Sequence, residues 1–130
     1  MAETNTTPQL GLLLSDDLIF ISRIVATASA QGLNLKSARS AANLVALARQ
    51  QRPRCVIVDL ANPGLILPGL LMELADVCDP LPRVVAYGSH VDTDTLRAAR
   101  AAGCDPVWPR SKFVEELATA LLQWYEPLPP

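Results

Sequence analysis

Four places along the chain put residues able to do polar chemistry just after an apolar run. The sharpest is Asp59, which closes Cys55-Val-Ile-Val58 and is followed by Pro63-Gly64. Asp16 and Asp17 come after Leu10-Gly-Leu-Leu-Leu14 and Ser15. Gly88, Ser89 and His90 come after Arg83-Val-Val-Ala-Tyr87, and Arg110 after Pro106-Val-Trp-Pro109. Three carboxylates drawn together repel one another and call for a cation. Oxygen ligands suit a hard ion such as Mg²⁺, which takes one or two carboxylates and keeps several waters. Arg110 would add a permanent positive charge and a fork matched to carboxylate or phosphate oxygens. The plainer alternative is that Asp59 only opens a turn, as aspartate often does.

Whether these residues meet depends on the elements that carry them. Cys55–Val58 is a short apolar run, three of its residues β-branched, bounded by turn signals, as in a strand buried on both faces. Leu10–Leu14 and Arg83–Tyr87 have the same character. Leu33-Asn-Leu-Lys36 alternates, which suits an edge strand with one wetter face, and the prolines of 106–109 are tolerated only at an edge. Between these runs lie helical patterns. One carries Leu18, Ile21, Ile24, Val25 and Ala28 and stops at Gly32. Another runs from a Ser40 cap to about Gln50 with Leu44, Leu47 and Ala48 inward, and a third spans Leu65–Cys78 with Pro68 in its first turn. A fourth is capped by Asp92 or Thr93 and runs to Ala102. The last is capped by Ser111, with Phe113, Leu117, Leu121 and Trp124 on its inner face.

Five βα units with short connections make an α/β fold, a doubly wound parallel sheet with helices on both faces. The two edge-like strands are the second and fifth, which the order 2-1-3-4-5 places at the edges. In that order Asp16, Asp17, Asp59, Gly88-Ser89 and Arg110 share the rim at the strands' carboxyl ends. The domain is expected over residues 9–125, after a flexible segment 1–8 and before a stiff Pro-rich tail 126–130.

Composition narrows the function. With 130 residues, half of them apolar, the chain is one globular domain. A net charge of −2 gives no basic footprint for nucleic acid. No apolar run approaches about 18 residues, so no membrane span is expected. The N-terminus lacks a signal peptide's basic start and apolar core. Cys55, Cys78 and Cys104 have no metal or redox spacing, which fits small core residues in a reducing cytoplasm. His90 reads as a surface loop residue, and Trp108 and Trp124 as packing.

The sequence resembles the receiver domain of two-component response regulators. The resemblance rests on Asp16-Asp17 after Leu-Leu-Leu-Ser, on Val-Ile-Val-Asp59-Leu-Ala-Asn-Pro63, and on Ala-Ala-Gly-Cys-Asp105. It implies that Asp59 accepts a phosphoryl group from a histidine kinase or phosphotransfer protein, and that a downstream protein partner reads the result. It further implies Mg²⁺ held by Asp16, Asp17, Asp59 and the main-chain carbonyl of Ala61, with Asp16 acting mainly through water. A homodimer through the fourth helix, fifth strand and fifth helix is also implied, where Ala98, Ala99, Ala101 and Ala102 permit close approach.

The resemblance breaks at three positions. The family's Ser/Thr on the fourth strand falls on Gly88, with Ser89 one residue on. Its lysine falls on Arg110 and its switch aromatic on Val107, with Tyr87 and Trp108 only as neighbours. A charge-assisted hydroxyl bond worth about 1.5–3 kcal/mol is therefore missing, against about 5.5 kcal/mol for a full population switch. Arg110 would then be free to pair permanently with Asp59. Two readings follow: an atypical stand-alone receiver phosphorylated at Asp59, and a pseudo-receiver serving as an interaction or dimerisation module. Enzymes on related folds fit less well. Haloacid-dehalogenase-like phosphatases need Asp-x-Asp, whereas these carboxylates are adjacent, and an acidic first loop repels the phosphate that a flavodoxin cradles. The chain is expected to be a signalling module and not an enzyme. With no output domain after residue 126, its effect would pass through a partner.

Overall fold

The computed structural model describes residues 9–127. The expected flexible segment 1–8 and the last three residues of the Pro-rich tail lie outside that range. The chain alternates β1 (Leu10–Leu14), α1 (Leu18–Ala30), β2 (Asn34–Ala38), α2 (Ala41–Gln50), β3 (Cys55–Asp59), α3 (Leu67–Val77), β4 (Arg83–Gly88), α4 (Thr93–Ala101), β5 (Val107–Pro109) and α5 (Arg110–Trp124). All strand pairs are parallel, and the order is β2-β1-β3-β4-β5. Every residue of β1 and β3 is buried, as continuous apolar runs between two helical layers require. The edge strand β2 instead exposes Lys36 and Ser37 and buries Leu35 and Ala38. It lies slightly later in the chain than its alternation predicts.

Strand alternation divides the core in two. Leu12, Leu14, Val56, Val58, Val84 and Ala86 face Leu44, Val45 and Ala48 of α2, Leu70 and Leu74 of α3, and Leu96 and Ala99 of α4. Leu13, Ile57, Val85 and Tyr87 face Ile24 and Ala28 of α1 and Phe113, Leu117, Leu121 and Trp124 of α5. The period-two alternation of strand side chains decides which functional residues can meet.

Helix ends follow local chemistry. The α1 helix closes when Gly32, at φ 74°, lets its own amide reach Ser29 O and the Leu33 amide reach Ala28 O. Ser40 and Asp92 cap α2 and α4 through their side chains, and Pro68 sits in the first turn of α3. Two expectations need correction. The α5 helix begins at Arg110, with Pro109 at the cap position and no side-chain cap bond, so Ser111 lies within its first turn. Leu18 is 63% exposed, because it opens with Ile19, Ser22 and Arg23 onto a surface depression that none of the described elements covers. Of the four alanines expected on the fourth helix, Ala99 is core, Ala98 and Ala101 are exposed, and Ala102, also exposed, is the C-cap of α4. The three cysteines are free and buried. No helix among the described residues is long and apolar enough to cross a membrane.

Candidate functional site

Sheet register determines what surrounds Asp59. Leu14 of β1 pairs with Val58 of β3, so Ser15, one residue further on, stands opposite Asp59. Ser15 keeps the β1 direction because its amide donates to Ala38 O of β2. Both side chains are buried, and Ser15 Oγ donates to Asp59 Oδ2 at 2.8 Å. The second carboxylate oxygen turns back on its own loop, where the Ala61 amide donates to Oδ1 at 2.9 Å. The Asn62 amide donates to Asp59 O, and buried Asn62 Nδ2 donates to Arg39 O, which fixes the loop after β3.

Arg110 supplies the opposite charge. Its guanidinium lies 3.9 Å from Asp59 Oδ1 and over the Phe20 ring, 5.9 Å from the centroid. A cation at the first position of α5 faces the positive end of that helix, so its placement is explained by Asp59 and Phe20 and not by the helix. Phe20 in turn stacks on Tyr87 at 5.3 Å, and Tyr87 meets Phe113 at 4.5 Å.

Tyr87 is the other residue that the sequence reading leaves out of the site. It pairs with Asp59 in the sheet register, and partners on neighbouring parallel strands project to the same face. Its hydroxyl is fully buried and lies near the Ser15 hydroxyl, but within hydrogen-bond geometry it meets no partner among the described residues. Burial pushes the phenol up; the nearby Ser15 hydroxyl lowers it, the Asp59 and Asp17 charges raise it, and Arg110 lowers it. Gly88 belongs to the opposite face: a Cβ there would meet Leu60 at 3.4 Å and Leu96 at 3.5 Å. Ser89 is half-buried, and its hydroxyl accepts from the Val91 amide within its own turn. Val107 is buried in β5, Trp108 is half-buried against Trp124, and His90 is exposed as expected.

The acidic pair is divided between solvent and a helix cap. Asp16 is exposed. Asp17 caps α1, its Oδ1 accepting from the Ile19 and Phe20 amides at 3.1 and 3.2 Å. The Asp17 amide also donates to Ser15 Oγ. The signal for Ser15 is its position one residue past Leu14, which pairs with Val58, whereas the first acidic residue lies one position further on.

Solved structures show the same arrangement of strands and helices. The signal receiver domain of an HD domain-containing protein from Pseudomonas fluorescens matches at TM-score 0.77 and 21% identity, over 95% of this chain and 91% of that one. The chemotaxis response regulator CheY4 of Vibrio cholerae matches at TM-score 0.75 and 15% identity, over 91% of this chain and 99% of that one. The fold is that of a response-regulator receiver domain. NtrX from Brucella abortus also matches, at TM-score 0.76 and 20% identity over 92% of this chain, which spans only 27% of NtrX. No family model matches the sequence, and no curated protein does.

The Mg²⁺ that the receiver resemblance implies does not fit the residues gathered here. Among the described residues no group of three His, Cys, Asp or Glu side chains could hold a metal ion. Asp17 spends a carboxylate oxygen on a helix cap and Asp16 faces solvent. What the receiver fold assembles around Asp59 is a hydroxyl, an amide and a guanidinium.

Proposed function

We propose that this chain is a receiver-type signalling module that acts by binding other proteins, without phosphoryl transfer to Asp59. One observation carries the reading: the Asp59 side chain is 4% exposed, and both its carboxylate oxygens are engaged by donors of its own chain. An acceptor carboxylate must offer a free oxygen to an incoming phosphorus, in line with its leaving group. Here that approach requires breaking a buried hydroxyl bond or displacing Arg110.

Two exposed stretches support the reading. Leu18 and Ile19 at the start of α1 are 63% and 78% exposed, the kind of apolar patch that marks a protein contact. The exposed Ala98 and Ala101 of α4, with Ala102 at its C-cap, offer a second surface where two copies of the chain could approach closely. The free buried cysteines fit a reducing compartment such as the cytoplasm.

A second reading keeps Asp59 as a phosphoryl acceptor served by a histidine kinase or phosphotransfer protein. It is favoured by a cavity of about 90 Å³ on the same rim, lined by Ala61, Gly88, Ser89 and Arg110 among others. Intact mass after incubation with acetyl phosphate and Mg²⁺ separates the two. The first reading expects no phosphoryl adduct on the wild-type chain. An adduct that forms on wild type and disappears in Asp59→Asn would establish the second.

A further inference from the structure

The mismatch between this site and a divalent ion extends to what stands in the ion's place. We propose that Arg110 is the resident cation of the Asp59 site and that Ser15 occupies the position a second carboxylate would need to complete a metal site. The inference rests on the closed-site reading above and extends it to the regulation of that site: the domain is indifferent to Mg²⁺.

The register places Ser15 opposite Asp59, and its Oγ lies 2.8 Å from Oδ2. A carboxylate at that point would crowd a second negative charge against the first and require an ion between them. A neutral hydroxyl donates instead and leaves one charge to be balanced. Arg110 balances it from 3.9 Å, held in place by Phe20, whose own amide is fixed by the Asp17 cap. Asp17, the residue with the best claim to be a metal ligand by sequence, is thus used to anchor the turn that supports Arg110. A guanidinium is weakly hydrated and always charged, so it fills this role at half-exposure without an exchange step.

Amide spectra of the whole chain during a titration with MgCl₂ test the proposal. The wild type should show no saturable shift at Ser15, Asp59, Ala61 or Arg110 up to about 10 mM, a range that covers weak sites of one or two carboxylates. The double variant Ser15→Asp/Arg110→Gln should gain saturable shifts at those residues. If that variant does not fold, Ser15→Asp alone is expected to bind at a higher Mg²⁺ concentration. Saturation of the wild type in the low millimolar range would overturn the proposal, as would a folded double variant that stays silent. The two readings fail separately. Mg²⁺ binding without a phosphoryl adduct removes only the resident-cation proposal, whereas an adduct removes the closed-site reading.

Discussion

At the scale of residues, the site is decided by the side chains next to Asp59 in space and not by those that stand out along the chain. Ser15 and Tyr87 are inconspicuous in sequence, yet both stand beside Asp59 across the sheet. Removing the Arg110 guanidinium leaves a buried carboxylate without its cation. With the Arg110 side chain 37% exposed, solvent screening reduces the loss to roughly 1–2 kcal/mol, below the 3–5 of a fully buried pair. The Tyr87 hydroxyl gives an opposite prediction, because a buried donor without a partner costs the fold about 1–3 kcal/mol. Tyr87→Phe should therefore raise stability by about 1 kcal/mol in urea unfolding. A loss of similar size would mean that the hydroxyl is bonded to its neighbour Ser15.

At the scale of elements, Asp17 holds the start of α1 and, through Phe20, the stacking of Arg110. Asp17→Ala should cost about 1 kcal/mol, the usual value of an N-cap. The loss should be equal in EDTA and in 10 mM MgCl₂, about the range a weak site would need. A loss that appears only with Mg²⁺ would make Asp17 a ligand instead. The glycine of β1 has a packing role, since a Cβ on Gly11 would run into the Tyr125 phenol, whose hydroxyl donates to Asn34 O at 2.7 Å. Gly11→Ala should then destabilise by roughly 1–3 kcal/mol, as overpacking does, read as a lower thermal midpoint. Much of this architecture is legible in the sequence. The buried runs at β1, β3 and β4, the Pro-limited edge at β5 and the glycine stop after α1 each follow from local rules. The site is less legible, because register is a relation between strands. One residue of offset separates Asp16 from Ser15, and Gly88 from Tyr87, and it reverses the face of the sheet.

At the scale of the whole molecule, two cores on either side of the sheet hold the strand ends in fixed register, and buried acids tie that packing to pH. Burial pushes the Cys55 thiol up to about 12, only partly offset by Arg83, and the Cys104 thiol up to about 11. A thiol whose folded pKa is raised keeps its proton in the fold and releases it on unfolding. Its contribution is therefore complete below about pH 8.5 and is lost as pH rises toward the folded value, at about 1.4 kcal/mol per pH unit. Urea midpoints should fall between pH 8.5 and 11, and Cys55→Ala should flatten that fall. A midpoint that rises over this range would contradict the account.

The claim on which these scales converge is that the Asp59 site is closed by its own chain. Beryllofluoride, a tetrahedral mimic of an acyl phosphate, tests it most directly when added with Mg²⁺ to the isotope-labelled chain. A closed site leaves the amide spectrum unchanged at Ser15, Asp59, Ala61, Gly88, Ser89 and Arg110. Saturable shifts at those residues, spreading into α4 and β5, would show that the site opens to a phosphoryl group and switches.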